Sequence, residues 1–293
     1  MDLNEYQRRA NETDQRPGDE ESALMFPLMG LASEVGSLIT QFKKRVRDGD
    51  AHELFSERVG EELGDIIWYV ANLSAKLGLD LESIAELNLR RIAERWPAPG
   101  AEQPAGLLDD VYPPGEQLPR TATIEFREVE VGGRTKAQMY WQGKQIGNDL
   151  SDMNYDDDAY RFHDVFHLAF AAVLGWSPVS RSFFEVKRES DPRVREIEDG
   201  GRAVVIEEGV SAFVFDYARQ EAFLKGVNRL DSDLLRTIAS LVSHLEVRVR
   251  TIAEWERAIL RAYEIWREMR AHGGGIVEID LTGRAIDYRL LDD

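Results

Sequence analysis

Three carboxylates in this chain are spaced as metal ligands are. Glu62 and Asp65 lie three residues apart, so on a helix both project from one face. Glu34 sits between apolar neighbours, midway along the preceding helical stretch. Antiparallel helices joined by a short loop would bring the three acids together at mid-height. Carboxylates packed against one another cannot all stay ionised without a cation, and oxygen-only ligation suits Mg²⁺, with Mn²⁺ as the other candidate. Such an ion neutralises a polyphosphate, polarises a phosphoryl oxygen and activates water. The plainer reading of the same residues is a solvated acidic helix face.

A second group lies farther along, in Arg161-Phe162-His163-Asp164-Val165-Phe166-His167. On a helix His163 and His167 are one turn apart on the same face, with Asp164 beside them. Paired imidazoles at that spacing are good ligands for a transition metal. Glu207 and Glu208 interrupt a largely apolar helix that runs from Val204 to Phe215. Buried carboxylates need partners, which the histidines or a second divalent metal would supply. Asp216, Glu185 and Glu189 are weaker members of the same set. Either these groups close into a polar network without chemistry, or they form the site of a second, metal-dependent hydrolase.

The elements that must position both groups are written in the hydrophobic periodicity. Leu24, Leu28, Leu31, Val35, Leu38, Ile39 and Phe42 recur at three- and four-residue steps, giving one apolar helix face. Lys43, Lys44, Arg45 and Arg47 suit the C-terminal end of that helix, which Asp48-Gly49-Asp50 stops. A further helix is predicted from about Leu54 to Leu77, and Asp80 can cap another that ends near Trp96-Pro97. With a short leading helix from Tyr6 to Thr13, residues 1–97 form a four-helix domain. Residues 98–119 are rich in Pro and Gly and read as a linker.

Residues 120–293 are expected to form a C-terminal α+β domain. Alternation around Thr123 to Trp141, broken by Gly132-Gly133, predicts a β-hairpin. Helices follow from about Asp157 to His272, with Asp156, Asp157 and Asp158 capping the start. A second hairpin is predicted from Ile276 to Leu290, and the two hairpins can pair into one small antiparallel sheet. The fold class is therefore mainly α: a four-helix domain, then a helical domain with that sheet.

Bulk properties narrow the partners. At 293 residues the chain is long for a single core, so two domains are the natural expectation. The absence of cysteine removes disulfides, thiolate zinc sites and cysteine nucleophiles together. With no charged-then-apolar leader at the start, this reads as cytoplasmic. No apolar run approaches the roughly 18 residues that cross a bilayer, so no membrane association is expected. A net charge of -18 argues against polymeric nucleic acid, which needs clustered Lys and Arg. Small anions remain possible ligands, because a divalent metal inverts the sign of a carboxylate-lined site.

Longer words surround the first three acids. The stretches Gly30-Leu31-Ala32-Ser33-Glu34-Val35-Gly36, Glu61-Glu62-Leu63-Gly64-Asp65-Ile66-Ile67-Trp68-Tyr69, and Asn88-Leu89-Arg90-Arg91 through Arg95-Trp96-Pro97 resemble the MazG family of all-α nucleoside triphosphate pyrophosphohydrolases. So does the opening Leu3-Asn4-Glu5-Tyr6-Gln7 with Thr13. The resemblance covers residues 1 to about 97, in order and in spacing. It implies Mg²⁺ held by an E-x-x-E pair and a later E-x-x-D pair. It also implies cleavage of a nucleoside triphosphate between the α and β phosphates, and assembly as a homodimer or homotetramer.

By position, Glu34 matches the first acid, and Glu62 and Asp65 match the third and fourth. The second falls on Ser37, a weak neutral ligand, and there the chain departs from the pattern. Lys43 or Lys44, Asn88 and Arg91 match places near the phosphates, beside their plainer reading as a basic helix end and surface polarity. Trp68 and Tyr69 suit either helix core or stacking on a base. Tyr160 to His167 with Leu174-Gly175-Trp176-Ser177-Pro178 resembles the C-terminal extension of some long MazG-type proteins, which implies no particular chemistry. The His163-Asp164 pair loosely resembles the HD phosphohydrolases, without their additional upstream histidine.

The expected function is Mg²⁺-dependent hydrolysis of (deoxy)nucleoside triphosphates to monophosphate and pyrophosphate. Two alternatives stand beside it. One is a nucleotide sensor whose catalysis ended with Ser37; the other is a two-step nucleotide-degrading enzyme whose C-terminal domain is a metal-dependent phosphohydrolase.

Overall fold

Why the helices near the N-terminus meet closely is visible at one glycine. A computed structural model describes residues 1–18, 20–95 and 106–291, so Trp96, Pro97 and the first part of the expected linker lie outside the described residues. The chain divides into two compact units, Met1–Ala93 and Glu94–Asp293. The first contains α1 (Leu3–Glu12), α2 (Glu21–Asp48), α3 (Phe55–Lys76) and α4 (Leu81–Arg95). Asp2 caps α1 by accepting from Glu5 N, and Gly49 ends α2 with a φ of 59°. Where α2 passes α3, a Cβ on Gly30 would lie 2.2 Å from the Tyr69 ring, so only glycine allows that approach. Trp68 donates Nε1–H to Thr13 Oγ1 at 2.8 Å, and Lys76 pairs with Asp14 at 2.6 Å, with both charged side chains almost fully buried. These contacts fasten the α1–α2 connection to the far end of α3. They also place Trp68 and Tyr69 in helix packing.

Helix α4 joins the other three through its first turn. Leu81 packs with Ala10 and Ala71, its N–H goes to Gln7 Oε1 at 3.0 Å, and Glu82 accepts from Asn4 at 2.9 Å. Farther along, Leu87, Leu89 and Ile92 are exposed.

The second unit is built on a five-stranded antiparallel sheet: β1 (Thr121–Val131), β2 (Arg134–Trp141), β3 (Lys144–Leu150), β4 (Gly274–Asp280) and β5 (Ala285–Arg289). The spatial order is β3-β2-β1-β4-β5, so the N-terminal strands and the C-terminal hairpin share one sheet. Ala122, Ile124 and Phe126 alternate inward from β1, as a sheet with one covered face requires. The covering helices are α5 (Asp164–Ala169), α6 (Pro178–Phe183), α7 (Pro192–Ile197), α8 (Gly201–Gln220), α9 (Ser232–Leu241) and α10 (Ile252–His272). Trp255, Ile259, Tyr263, Trp266 and Met269 of α10 are buried at helical spacing, and all six residues of α5 are buried. Helix α10 starts with a capping box between Thr251 and Glu254 and stops at Gly273, whose φ of 70° turns the chain directly into β4.

Three expectations change. Strand β3 was not predicted: it follows a turn at Gly143, contains Gly147, buries only Ile146 of its seven residues, and its ladder shifts register between Ala137 and Met139. The stretch from Gly106 to Pro119 is packed structure, not spacer. Asp109 and Leu118 are each 1% exposed, and Asp109 accepts from Leu118 N, Arg120 and Arg181 at 2.7–2.9 Å. Its Pro and Gly residues serve a turn and a short 3₁₀ helix at Pro114–Glu116. Finally, α2 does contain a window long and apolar enough to cross a membrane by length and composition, with a mean hydropathy of 1.4 and only 11% of it buried. Scattered Gly, Ser and Thr had divided that length into short apolar pieces.

The α2–α3 contact generates the first prediction. Gly30→Ala should destabilise the first unit by about 1–3 kcal/mol, the usual cost of overpacking. Urea denaturation followed by helical circular dichroism reads this, and a smaller residue at Tyr69 should restore part of the loss. An unchanged midpoint for Gly30→Ala would mean that the two helices are not held at this point.

Candidate functional site

Glu34 on α2 faces Glu62 and Asp65 on α3, and each contributes one carboxylate oxygen to a group lying within 4.8 Å of one another. Glu34 and Glu62 are half-buried, whereas Asp65 is exposed, so the cluster opens on one side. Burial, the charge of Asp65 and a hydrogen bond with Glu62 together push the Glu34 carboxyl above its ordinary range. Burial and the Asp65 charge do the same for the Tyr6 hydroxyl. The donor set is all oxygen and open to solvent, which fits a hard divalent ion that keeps water or phosphate as its remaining ligands.

Sequence reasoning missed Gln41. It is buried, and its Nε2 donates to Glu62 Oε1 at 3.1 Å, fixing the orientation of that carboxylate. Its signal was the spacing: seven residues after Glu34 is two helical turns, which returns to the same face. Ser37 is half-buried one turn from Glu34. The four residues expected near phosphates are all exposed: Lys43 and Lys44 near the end of α2, Asn88 and Arg91 on α4. By helical geometry Lys43 lies about 180° around α2 from Glu34, and Lys44 about 80° away. Within one chain, therefore, Lys43 does not share the face of the carboxylates.

The second group is built by three short pieces of backbone. His163 is the N-cap of α5, Asp164 its first residue and His167 one turn on. Ser177 caps α6, accepting from Ser180 N, with Pro178 at the first helical position. Helix α8 presents Glu207, which is fully buried, and Glu208, which is 44% exposed. Glu207 accepts from Ser177 Oγ at 2.6 Å, Val179 N at 2.9 Å and His167 Nδ1 at 2.9 Å. His163 donates Nδ1–H to the Tyr160 carbonyl at 2.9 Å, and the Tyr160 ring stacks on the His163 ring at 4.3 Å. On their other edges, His167 Nε2 is 3.4 Å from Glu208 Oε2, and His163 Nε2 is 3.6 Å from Asp164 Oδ1.

Electrostatics divide these groups sharply. Burial opposes a charge on His167, yet the Glu207 carboxylate, its hydrogen bond and Glu208 outweigh that and raise the ring well above an ordinary histidine. Burial and the neighbouring His167 hold His163 low. Burial drives Asp164 up to about 7, while the His167 ring facing it holds Glu208 low. Five titratable groups are thus brought together, His163, Asp164, His167, Glu207 and Glu208. The weaker candidates are not among them: Asp216 is engaged by Arg219 and Gln220, Glu185 pairs with Lys144, and Glu189 with Arg195. Tyr160 and Ser177, which orient the group, lay within the stretches that resemble the MazG-type C-terminal extension, but were not read as members of the site.

Residues 103–292 match the family model described as the MazG C-terminal domain. The chain is also 34% identical over 101 residues to the Gene 37 protein of Mycobacterium phage L5, an alignment covering 32% of this chain and 89% of that protein. No solved structure matches the chain significantly.

Glu207 generates a prediction of its own. Glu207→Ala should destabilise the second unit by about 3–5 kcal/mol, because it leaves a buried imidazole and two buried donors without their acceptor. The unfolding midpoint in urea, read by tryptophan fluorescence, measures this. A loss below about 1 kcal/mol would show that the carboxylate is dispensable to the fold.

Proposed function

The chain belongs to the MazG C-terminal domain family through residues 103–292, and we propose that its first unit hydrolyses (deoxy)nucleoside triphosphates to monophosphate and pyrophosphate. Membership in a MazG-related family supports a nucleotide-related role. The observation that carries the finer reading is the convergence of Glu34, Glu62 and Asp65 from two helices on one open, oxygen-lined spot. The resemblance of residues 1 to about 97 to MazG-type pyrophosphohydrolases supports it further.

In this reading Glu34, Glu62 and Asp65 would hold Mg²⁺, whose contribution would be to offset charge on the triphosphate and lower the pKa of the attacking water. Gln41 holds the Glu62 carboxylate through its Oε1. Water adds to the α-phosphorus, the bond to the bridging oxygen breaks, and pyrophosphate leaves with the bridging oxygen. Basic side chains must offset the charge that develops on it. Since Lys43, Lys44, Asn88 and Arg91 are exposed, they serve best when a second chain completes the site. An exposed apolar surface favours such assembly: Leu28, Val35, Ile39 and Phe42 on α2, with Leu87 and Leu89 on α4, are all solvent-facing in the single chain. A homodimer or homotetramer formed through these helices would bury them.

Ser37 favours a second reading, a nucleotide sensor that binds triphosphate without cleaving it. A screen of the common nucleoside triphosphates with Mg²⁺ or Mn²⁺, products resolved by chromatography, separates the two. Pyrophosphate and monophosphate in equal amounts support the hydrolase; binding without products supports the sensor.

Two variants sharpen this. Asp65→Ala should lower pyrophosphate release by more than about 100-fold, as expected for loss of a direct metal ligand, with helical content unchanged. Retained activity in that folded variant would end the metal assignment. Ser37→Glu should tighten Mg²⁺ or raise the rate by supplying a carboxylate one turn from Glu34. An unaltered rate and metal dependence would mean that position 37 does not face the ion.

A further inference from the structure

Two features of the His163 and His167 pair go beyond a closed hydrogen-bond network. The first is which nitrogen is left over. The Tyr160 carbonyl can only accept, so His163 carries its proton on Nδ1, and its Nε2 bears a lone pair in the neutral ring. His167 Nδ1 is likewise occupied, by the Glu207 carboxylate, while His167 Nε2 is buried and makes no hydrogen bond. His163 Nε2 thus faces the Asp164 carboxylate and His167 Nε2 faces Glu208, and each ring is fixed from behind. A carboxylate or a backbone carbonyl on the far nitrogen is the arrangement that orients metal-binding histidines.

The second feature is distance. A charge-assisted hydrogen bond between an imidazole and a carboxylate closes to about 2.7–2.9 Å, as His167 Nδ1 does with Glu207. On the Nε2 side the pairs stand at 3.4 Å and 3.6 Å instead. In a tetrahedral site with bonds of about 2.1 Å, neighbouring donor atoms are about 3.4 Å apart. His163, Asp164 and His167 each offer a donor atom within 4.8 Å of the others, and Glu208 stands against His167 from the adjacent helix.

We propose that His163, Asp164, His167 and Glu208 bind one divalent transition-metal ion, of the zinc class, between α5 and α8. Two imidazole nitrogens with two carboxylate oxygens favour such an ion over Mg²⁺ or Ca²⁺, which take oxygen ligands. Four protein ligands, three of them buried, give the ion a structural character: it clamps α5 to α8. Glu208, the one half-exposed ligand, is where the ion enters. The site lies wholly within the second unit and does not depend on the carboxylates of the first.

The test uses the full chain carrying Glu62→Gln and Asp65→Asn, stripped with chelator, so that the first cluster does not compete. Titration with Zn²⁺ should give one equivalent bound per chain and a rise in Tm. Co²⁺ should give the intense visible absorption of a tetrahedral N/O site. Glu208→Gln, at the surface end, should weaken Zn²⁺ by more than about 100-fold without altering circular dichroism. His163→Gln should remove the Co²⁺ spectrum, and if it does not fold, Glu208→Gln decides alone. Failure to bind stoichiometric Zn²⁺ overturns the proposal. So does binding that a folded Glu208→Gln variant leaves unchanged.

Discussion

The second unit turns on one buried carboxylate. Glu207 has no exposed surface, and an ionised acid in that position is tolerable only if its oxygens are fully engaged. Three donors meet it, from two different helices: the His167 ring on α5, and the Ser177 hydroxyl and Val179 amide at the start of α6. To satisfy it, α5, α6 and α8 must adopt one mutual arrangement. That arrangement then fixes where His163, Asp164 and Glu208 fall. A second buried network does similar work nearby, with Arg188 gripping Asp199 through its backbone amide and guanidinium and reaching Glu246 at 2.7 Å. Hydrophobic burial supplies most of the driving force for this unit, but these charges choose one packing from the many that a greasy core would accept.

The first unit uses the opposite principle. There, partial burial and then the neighbouring Asp65 and Glu62 carboxylates raise the Glu34 carboxyl above its ordinary range. The packing that imposes this is the close passage of Tyr69 over Gly30, one turn from Glu34 on one helix and one turn from Asp65 on the other. The two clusters also differ in chemistry. One is open and oxygen-only; the other is enclosed and mixes nitrogen with oxygen donors.

Much of this was legible in the sequence because periodicity and capping are local. The helices from Glu21 to Lys76, the two hairpins and the shared faces of Glu62 with Asp65 and of His163 with His167 all follow from spacing. What was not legible depends on contacts between distant segments. Strand β3 has almost no alternation, because its one buried residue is Ile146 and its outer residues meet solvent. Gly106 to Pro119 has linker composition, and only the distant Arg181 reveals that Asp109 is a buried partner. Gln41 looks like surface polarity until Glu62 is placed opposite it. The apolar length of α2 was hidden by residues that are weakly polar one at a time.

The order of strands in the sheet has a bearing on how the chain is made. As synthesis proceeds from the N-terminus, β1, β2 and β3 emerge together and can pair at once, but β1 sits beside β4, which emerges only after α5 to α10. Throughout that interval the inner edge of β1 is an unpaired row of amides and carbonyls next to a hydrophobic face, a template for pairing with another nascent chain. Glu125, Arg127, Glu128 and Glu130 lie along this strand. Their charges act as gatekeepers during the wait, making the naked edge a poor match for a second copy of itself. Ribosome stalling before Gly274, or a frameshift that removes β4, would leave a chain whose helices are all present and whose weakest point is a single open strand.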